Sequence, residues 1–276
     1  MGIEGFIVCK FGGSSLSDAD AFRRVKKILR SDGRRKTVVV SAPGKRFDGD
    51  EKVTDVLFAL YKRGNADRSF FYKSFSRYFA ICQDLNLKLD IGAEVKRIYD
   101  EFHLGKDYVV SRGEYLSALI AAEYFGFTFI DAKDVFFFDN GVIGGLKTKN
   151  AVKAIDFSRG VVVPGFYGRD DKGGIRLFKR GGSDVSGAYL AAYSGAAVYE
   201  NWKDVSGVYE KDPKIFCGQK PLASMTYRKL ENLLSSGAKV LDIGAIAPLI
   251  EYGVTLKILN SFDPSGGGTT VTKNGS

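Results

Sequence analysis

Apolar and polar positions change period repeatedly along the chain, and each change predicts an element. Phe6–Lys10 is a short apolar run that ends at a glycine turn, the pattern of a buried strand. From Ser17 to Arg30, Phe22, Val25 and Leu29 share one stripe at helical spacing, with Ser17 and Asp20 placed as a capping box. Thr37–Ala42 is the next strand, and its three valines, Val38–Val40, suit a parallel strand covered on both faces. Val53 to Phe102 is mainly helical, rich in aromatic and basic residues, with breaks near Gly64 and Gly92. Glu114–Phe125 predicts a helix with Leu116, Leu119, Ile120 and Tyr124 inward and Gly126 as its stop. Phe127–Asp131 and Val135–Phe138 predict short strands. Val161–Pro164 predicts a strand that starts a second half, followed by a hairpin around 166–178. Then come a helix over Ser186–Ser194, a strand over Ala197–Glu200, a helix over Tyr227–Ser235 and a strand over Val254–Asn260.

Alternating strand and helix units predict an α/β fold, a three-layer αβα sandwich around a central, mostly parallel open sheet. Neither a long Pro/Ser linker nor an internal repeat interrupts 276 residues, so one bilobal domain is expected, its lobes meeting near residue 155. A composition of 45% hydrophobic and 26% charged residues is that of an ordinary globular protein. No run approaches the roughly 20 apolar residues that cross a bilayer, and Met1 to Lys10 has no basic n-region or cleavage site. The expectation is a soluble, cytoplasmic protein without membrane contact.

Three widely spaced cysteines, Cys9, Cys82 and Cys217, give neither a disulfide framework nor a zinc pattern. With His103 the only histidine, polyhistidine metal sites are excluded. A net charge of +9 points to an anionic partner. The densest basic stretch, Arg23 to Lys36, reads as the solvated face of an amphipathic helix; no zinc finger or RNP signature accompanies it, so no nucleic-acid partner is expected.

Several short stretches carry candidate chemistry. Lys10-Phe11-Gly12-Gly13-Ser14-Ser15 follows a strand and is expected to open a helix, where backbone N–H groups can converge on a phosphate and Lys10 can reach over them. It is not a Walker A loop, and the chain has no G-x-G-x-x-G. Lys179-Arg180-Gly181-Gly182-Ser183-Asp184 is a second glycine pair beside cations, with Ser183 or Asp184 as the expected N-cap and Arg180 free to grip a carboxylate or phosphate. In Ser111-Arg112-Gly113-Glu114 a carboxylate stands at a predicted helix start, either compensating the dipole or binding an ammonium. Asp204, Tyr209, Lys211 and Lys214 lie on a predicted loop beyond a strand end, where open α/β sheets bind ligands. Lys239, in Gly237-Ala238-Lys239-Val240-Leu241, follows a helix end.

Taken in order, Lys10–Ser15, Ser111–Glu114, Val163–Gly168, Arg180–Asp184, Asp204–Pro213 and Gly237–Leu241 resemble the motif series of aspartate kinases, members of the amino acid kinase superfamily. The resemblance runs to about Asn260. It implies the amino acid kinase fold, with a substrate lobe over about 1–155 and a nucleotide lobe over about 156–276. It also implies transfer of a phosphoryl group from ATP, with Mg²⁺, to the side chain of L-aspartate, at the entry to lysine, threonine and methionine synthesis. A carboxylate with a pKa near 3.9 is already ionised at neutral pH, so the scarcity of histidine is no handicap.

By the same resemblance Lys10 stabilises the transferring group and Asp184 orients Lys10. Gly12, Gly13, Ser14, Gly181 and Gly182 border phosphate. Arg180 holds the substrate α-carboxylate, Glu114 its ammonium, and Ser41, Thr54 and Ser183 lie near it. Asp204, Tyr209, Lys214 and Lys239 serve the nucleotide, and Mg²⁺ bridges its phosphates without an assigned protein ligand. A homodimer is implied by the superfamily.

Departures from the pattern are Ser15 and Lys203 where threonine is frequent, Lys214 for arginine, and Asp242-Ile243 for His-Pro. Paired regulatory domains are expected to be lacking, and with them feedback by lysine or threonine. The competing readings are a kinase of another amino acid or small carboxylate, and a catalytically silent sensor of nucleotide or amino acid.

Overall fold

The computed structural model describes residues 5–179, 181–211, 216 and 218–275. The first half contains β1 (Ile7–Phe11), α1 (Ala19–Arg30), β2 (Thr37–Val40), α2 (Val53–Arg63), α3 (Arg68–Ser74), α4 (Ser76–Asp84), α5 (Ile91–Asp100), α6 (Lys106–Phe125) and β3 (Thr128–Phe129). A small hairpin, β4 (Phe138–Asp139) and β5 (Val142–Ile143), leads to α7 (Gly145–Lys153). After it come β6 (Val161–Pro164), the hairpin β7 (Tyr167–Arg169) and β8 (Ile175–Leu177), α8 (Gly182–Ser194) and β9 (Val198–Lys203). The chain closes with β10 (Ser224–Thr226), α9 (Tyr227–Ser235), α10 (Ile246–Glu251), β11 (Thr255–Asn260) and β12 (Thr269–Thr272).

Eight strands form one sheet in the order β10-β12-β11-β9-β1-β2-β6-β3, and only the β11–β12 pair is antiparallel. Successive strand residues point to opposite faces, yet every residue of β1, β2 and β6 is buried. Helices therefore cover both faces, as the valine run predicted. β1 and β9 are parallel neighbours, Lys10 facing Asn201 and Phe11 facing Trp202 across the ladder. That register brings the carboxyl ends of β1, β2 and β9 together, and the loops leaving them form one rim.

Local expectations fail for identifiable reasons. α1 starts at Ala19, capped by Asp18 rather than Ser17, because residues Gly13–Leu16 form a 3₁₀ turn first. Helix α6 starts at Lys106, two turns before the predicted Glu114. Gly113 looked like a boundary but lies inside the helix, where a Cβ would come within 2.9 Å of the Ala42 Cβ. It is a packing glycine that lets α6 lie against the end of β2. Ala132–Asp134 forms a 3₁₀ turn, so of the predicted Val135–Phe138 strand only Phe138 lies in a strand and Phe137 in an isolated bridge to Arg169.

Candidate active site

Lys10, next to last in β1, points to the face covered by α8 and places Nζ 2.8 Å from Asp184 Oδ1; both side chains are buried. Lys203, the last residue of β9, reaches the same carboxylate at 3.1 Å from Oδ2. Asn201 Nδ2 donates to Asp184 Oδ1 at 3.0 Å, the Asp242 N–H donates to Oδ2 at 3.2 Å, and the Tyr199 hydroxyl donates to the Asp184 carbonyl at 3.1 Å. Tyr199, Asn201 and Lys203 alternate along β9, so one face of the strand supplies all three contacts. Burial alone would raise the Asp184 pKa, but Lys10 and Lys203 outweigh it and hold the carboxyl well below the usual range. Burial pulls the Lys10 ammonium below that of a free lysine, against the opposing pull of Asp184.

The first glycine turn crosses this array. Its Gly12 N–H donates to Trp202 O at 3.2 Å and its Gly13 O accepts from Gly44 N–H at 2.8 Å. A Cβ on Gly13 would lie 2.8 Å from Ala42 O and 2.9 Å from Gly44 N, so two backbones meet where only glycine fits. Ser14 Oγ donates to Asp204 Oδ2 at 2.9 Å, and Ser15 Oγ lies 2.7 Å from Ser261 Oγ, tying the turn to the loops after β9 and β11. The turn opens the short 3₁₀ segment and not α1, which corrects the expectation of a long helix amino terminus there.

In the second glycine pair, Gly181 is the N-cap of α8 with φ +85°, and Ser183 and Asp184 lie in the first turn without capping it. The expectation that either would cap the helix is corrected: the Asp184 carboxylate is committed to the lysines. A Cβ on Gly181 would collide with the Asp242 carboxylate, and one on Gly165 would meet the Ser183 Cβ at 2.7 Å. Gly182 is buried against Phe178. Arg180 and Lys214 lie outside the described residues.

Glu114 is mid-helix rather than at a helix start, and buried. Its Oε1 accepts the Ala42 N–H at 3.1 Å, while Oε2 is buried without a partner among the described residues. Burial, only partly offset by that N–H and by Lys10, pushes its pKa up to about 7. Ser41, beside Ala42, is half-buried at the end of β2, its N–H on Phe11 O at 3.2 Å. Thr54 is half-buried at the start of α2, Tyr209 is half-buried beyond β9, and Lys239 is exposed after α9. No hydrogen bond or ion pair among the described residues joins these three to the Lys10–Asp184 pair.

Sequence reasoning missed Asn201 as a partner of Asp184, read Lys203 only as a departure, and did not single out Phe166. The signal was available in β9, where polar residues at alternate positions of an otherwise buried strand mark a row facing something charged. Phe166 takes φ +74°, rare for a bulky residue; its N–H donates to Ser186 Oγ at 3.1 Å and its carbonyl accepts from Phe178 N–H at 2.8 Å. Among the described residues no group of three or more His, Cys, Asp or Glu is placed to hold a metal ion, and no helix is long and apolar enough to cross a membrane.

A mostly parallel sheet whose strand ends carry two lysines and glycine turns, beside a helix carboxylate with one unpartnered oxygen, defines a ligand site of the open α/β class. The chain belongs to the amino acid kinase family, whose model matches residues 5–260. It is 32% identical over 288 residues to aspartokinase 3 of Bacillus subtilis, an alignment covering 96% of this chain and 63% of that one. The aspartate kinase of Clostridium acetobutylicum superposes with a TM-score of 0.91 at 39% identity, over 98% of this chain and 63% of that one. Escherichia coli aspartokinase III in complex with aspartate and ADP superposes with a TM-score of 0.85 at 27% identity, over 97% of this chain and 64% of that one. The chain thus spans a little under two-thirds of the length of these relatives.

Proposed function

We propose that this chain transfers the γ-phosphoryl group of ATP to the side-chain carboxylate of L-aspartate, giving 4-phospho-L-aspartate and ADP. The observation that carries the reading is the Lys10–Asp184–Lys203 array at the joined ends of β1 and β9, beside the half-satisfied carboxylate of Glu114. One aspartate carboxylate oxygen forms a bond to the γ-phosphorus as the bond to the β,γ-bridging oxygen breaks, and the leaving electron pair stays with ADP. No proton has to be removed from an ionised carboxylate. Catalysis then consists of alignment and charge stabilisation.

In this reading Lys10 faces the charge that builds on the transferring group, and Asp184 keeps the lysine extended and charged. Gly13 and Ser14 present backbone N–H groups, while Gly12 is already bonded to Trp202 and shapes the turn. Glu114 takes the substrate ammonium, which gives its free oxygen a partner and its charge a counter-ion. Ser41, Thr54, Ser183 and Arg180 border the amino acid in the lobe of about 1–155 and at the α8 turn. Asp204, Tyr209, Lys214 and Lys239 serve the nucleotide in the lobe of about 156–276, with Gly181 and Gly182 at its phosphates. Mg²⁺ supplies charge neutralisation at the phosphates. The Asp184 carboxylate, saturated by two lysines, Asn201 and the Asp242 N–H, is poorly suited to bind it, so the ion is held mainly by the nucleotide. We also propose a cytoplasmic homodimer, to be read by sedimentation.

The test is a hydroxylamine trap with ADP detection over a panel of amino acids and small carboxylates. Aspartyl hydroxamate formed in step with ADP supports the reading. A different preferred acceptor would move the substrate, and nucleotide binding without turnover of any acceptor would favour a sensor.

A further inference from the structure

We infer that Lys203 is a second phosphate-contacting cation, set on the nucleotide side of the transferring group by the same carboxylate that sets Lys10. The inference rests on the kinase reading and names a residue which that reading leaves without a task.

Three observations carry it. First, Lys203 and Lys10 lie at the ends of adjacent parallel strands and converge on one carboxylate, Lys10 on Oδ1 at 2.8 Å and Lys203 on Oδ2 at 3.1 Å, with a longer bond to Oδ1 at 3.4 Å. Lys10 has Glu114 as a further acidic group nearby, whereas among the described residues Lys203 has no carboxylate partner but the shared Asp184, so this half-buried cation is short of negative charge. Second, the Lys203 side chain is 17% exposed against 6% for Lys10, so Lys203 opens toward the rim while Lys10 lies beneath the glycine turn. Third, its flanking residues are tied to that turn. Trp202 O accepts the Gly12 N–H, and Asp204 Oδ2 accepts the Ser14 hydroxyl. Lys203 therefore sits between the phosphate turn and the loop proposed to hold the nucleotide, with N–H donors to spare after Asp184.

A lysine that only braced Asp184 would matter equally whatever the nucleotide's length. One that touches phosphate oxygens beyond the first should matter more as the phosphate chain grows. The experiment is calorimetric titration of AMP, ADP and ATP, each with Mg²⁺, into the full chain and its K203M and K203T variants, with melting curves as the check on folding. The expected result is AMP affinity within about twofold of wild type and ATP affinity lower by about tenfold or more, the worth of a charge-assisted contact. Equal weakening of all three nucleotides, or none, overturns it. A crystal structure of the wild type with ADP gives a reading that needs no variant. Lys203 Nζ within about 3.2 Å of a β-phosphate oxygen supports the inference, and Nζ more than about 5 Å from every phosphate oxygen overturns it. Failure of the hydroxamate assay in the wild type would instead strike the kinase reading, and the two failures are separable because nucleotide binding needs no acceptor.

Discussion

Gly13 and Gly44 meet backbone on backbone, the Gly44 N–H donating to Gly13 O at 2.8 Å. A Cβ on either glycine would fall under 3.0 Å from main-chain atoms of the other's segment, so neither turn can yield by rotating a side chain. Gly13→Ala should destabilise the fold by about 1–3 kcal/mol. Turnover should fall on the order of 10²-fold, because the turn moves relative to Lys10. Urea melts and steady-state kinetics check the two numbers separately, and a variant with native turnover would show that the contact does not set the turn.

Removing Asp184 and removing Lys10 should have different costs. Asp184→Asn leaves the buried Lys10 and the half-buried Lys203 without their shared carboxylate, at about 3–5 kcal/mol of stability. Lys10→Met leaves Asp184 paired with Lys203, so its stability loss should be the smaller one. Its activity should nonetheless drop by on the order of 10²–10³, as for other losses of transition-state charge stabilisation. Equal destabilisation by the two variants would show that Lys203 does not share the carboxylate.

Glu114 gives the molecule a pH signature. Its pKa is raised in the fold from 4.5 to about 7, so between those values the folded protein holds a proton that the unfolded chain has lost. The group's contribution is fully present below pH 4.5 and is lost as pH rises through about 7, a change of about 3 kcal/mol. Glu114→Gln should flatten that decline in urea melts run across the window. An ammonium arriving at Glu114 restores its charge, so aspartate binding near neutral pH should release a proton. Calorimetry in buffers of different protonation enthalpy measures it, and buffer-independent heats would argue against the contact.

On the other face of β9, Arg35 Nε and Nη2 bind Glu200 at 2.8 and 3.1 Å, and Trp202 Nε1 donates to the same carboxylate at 3.0 Å. Arg35→Met should lower stability by about 3 kcal/mol, since it leaves a buried charge held only by Trp202 and the weak Cys9 thiol donor. KM values should stay as in the wild type. A raised KM for nucleotide would mean that the two faces of the strand are coupled.

Much of this was legible from residue order alone. The buried strands at Phe6, Thr37, Val161 and Ala197 declared themselves by apolar runs, and Lys10 and Asp184 by glycine pairs beside charged groups. The edge strand Ser224–Thr226 and its neighbour Thr269–Thr272 did not, because they are short and polar and take their extension from pairing with each other and, for the second, with β11. Gly113 misled because a glycine inside a helix and a glycine ending one look alike until the opposite surface, here Ala42, is known. The partners of Asp184 were hidden for a similar reason. Whether Asn201 and Lys203 point toward α8 depends on register with β1, a long-range fact that local pattern does not contain.

That register has an implication for how the sheet must assemble. Moving β9 along its neighbour by one residue would turn Glu200 and Trp202 toward α8 and bury Asn201 and Lys203 against α1, inverting the strand. The Arg35 clasp on Glu200 is then more than a local contact. It penalises the shifted pairing by taking the carboxylate from the Arg35 guanidinium, and so guards against a well-packed molecule that is chemically inert.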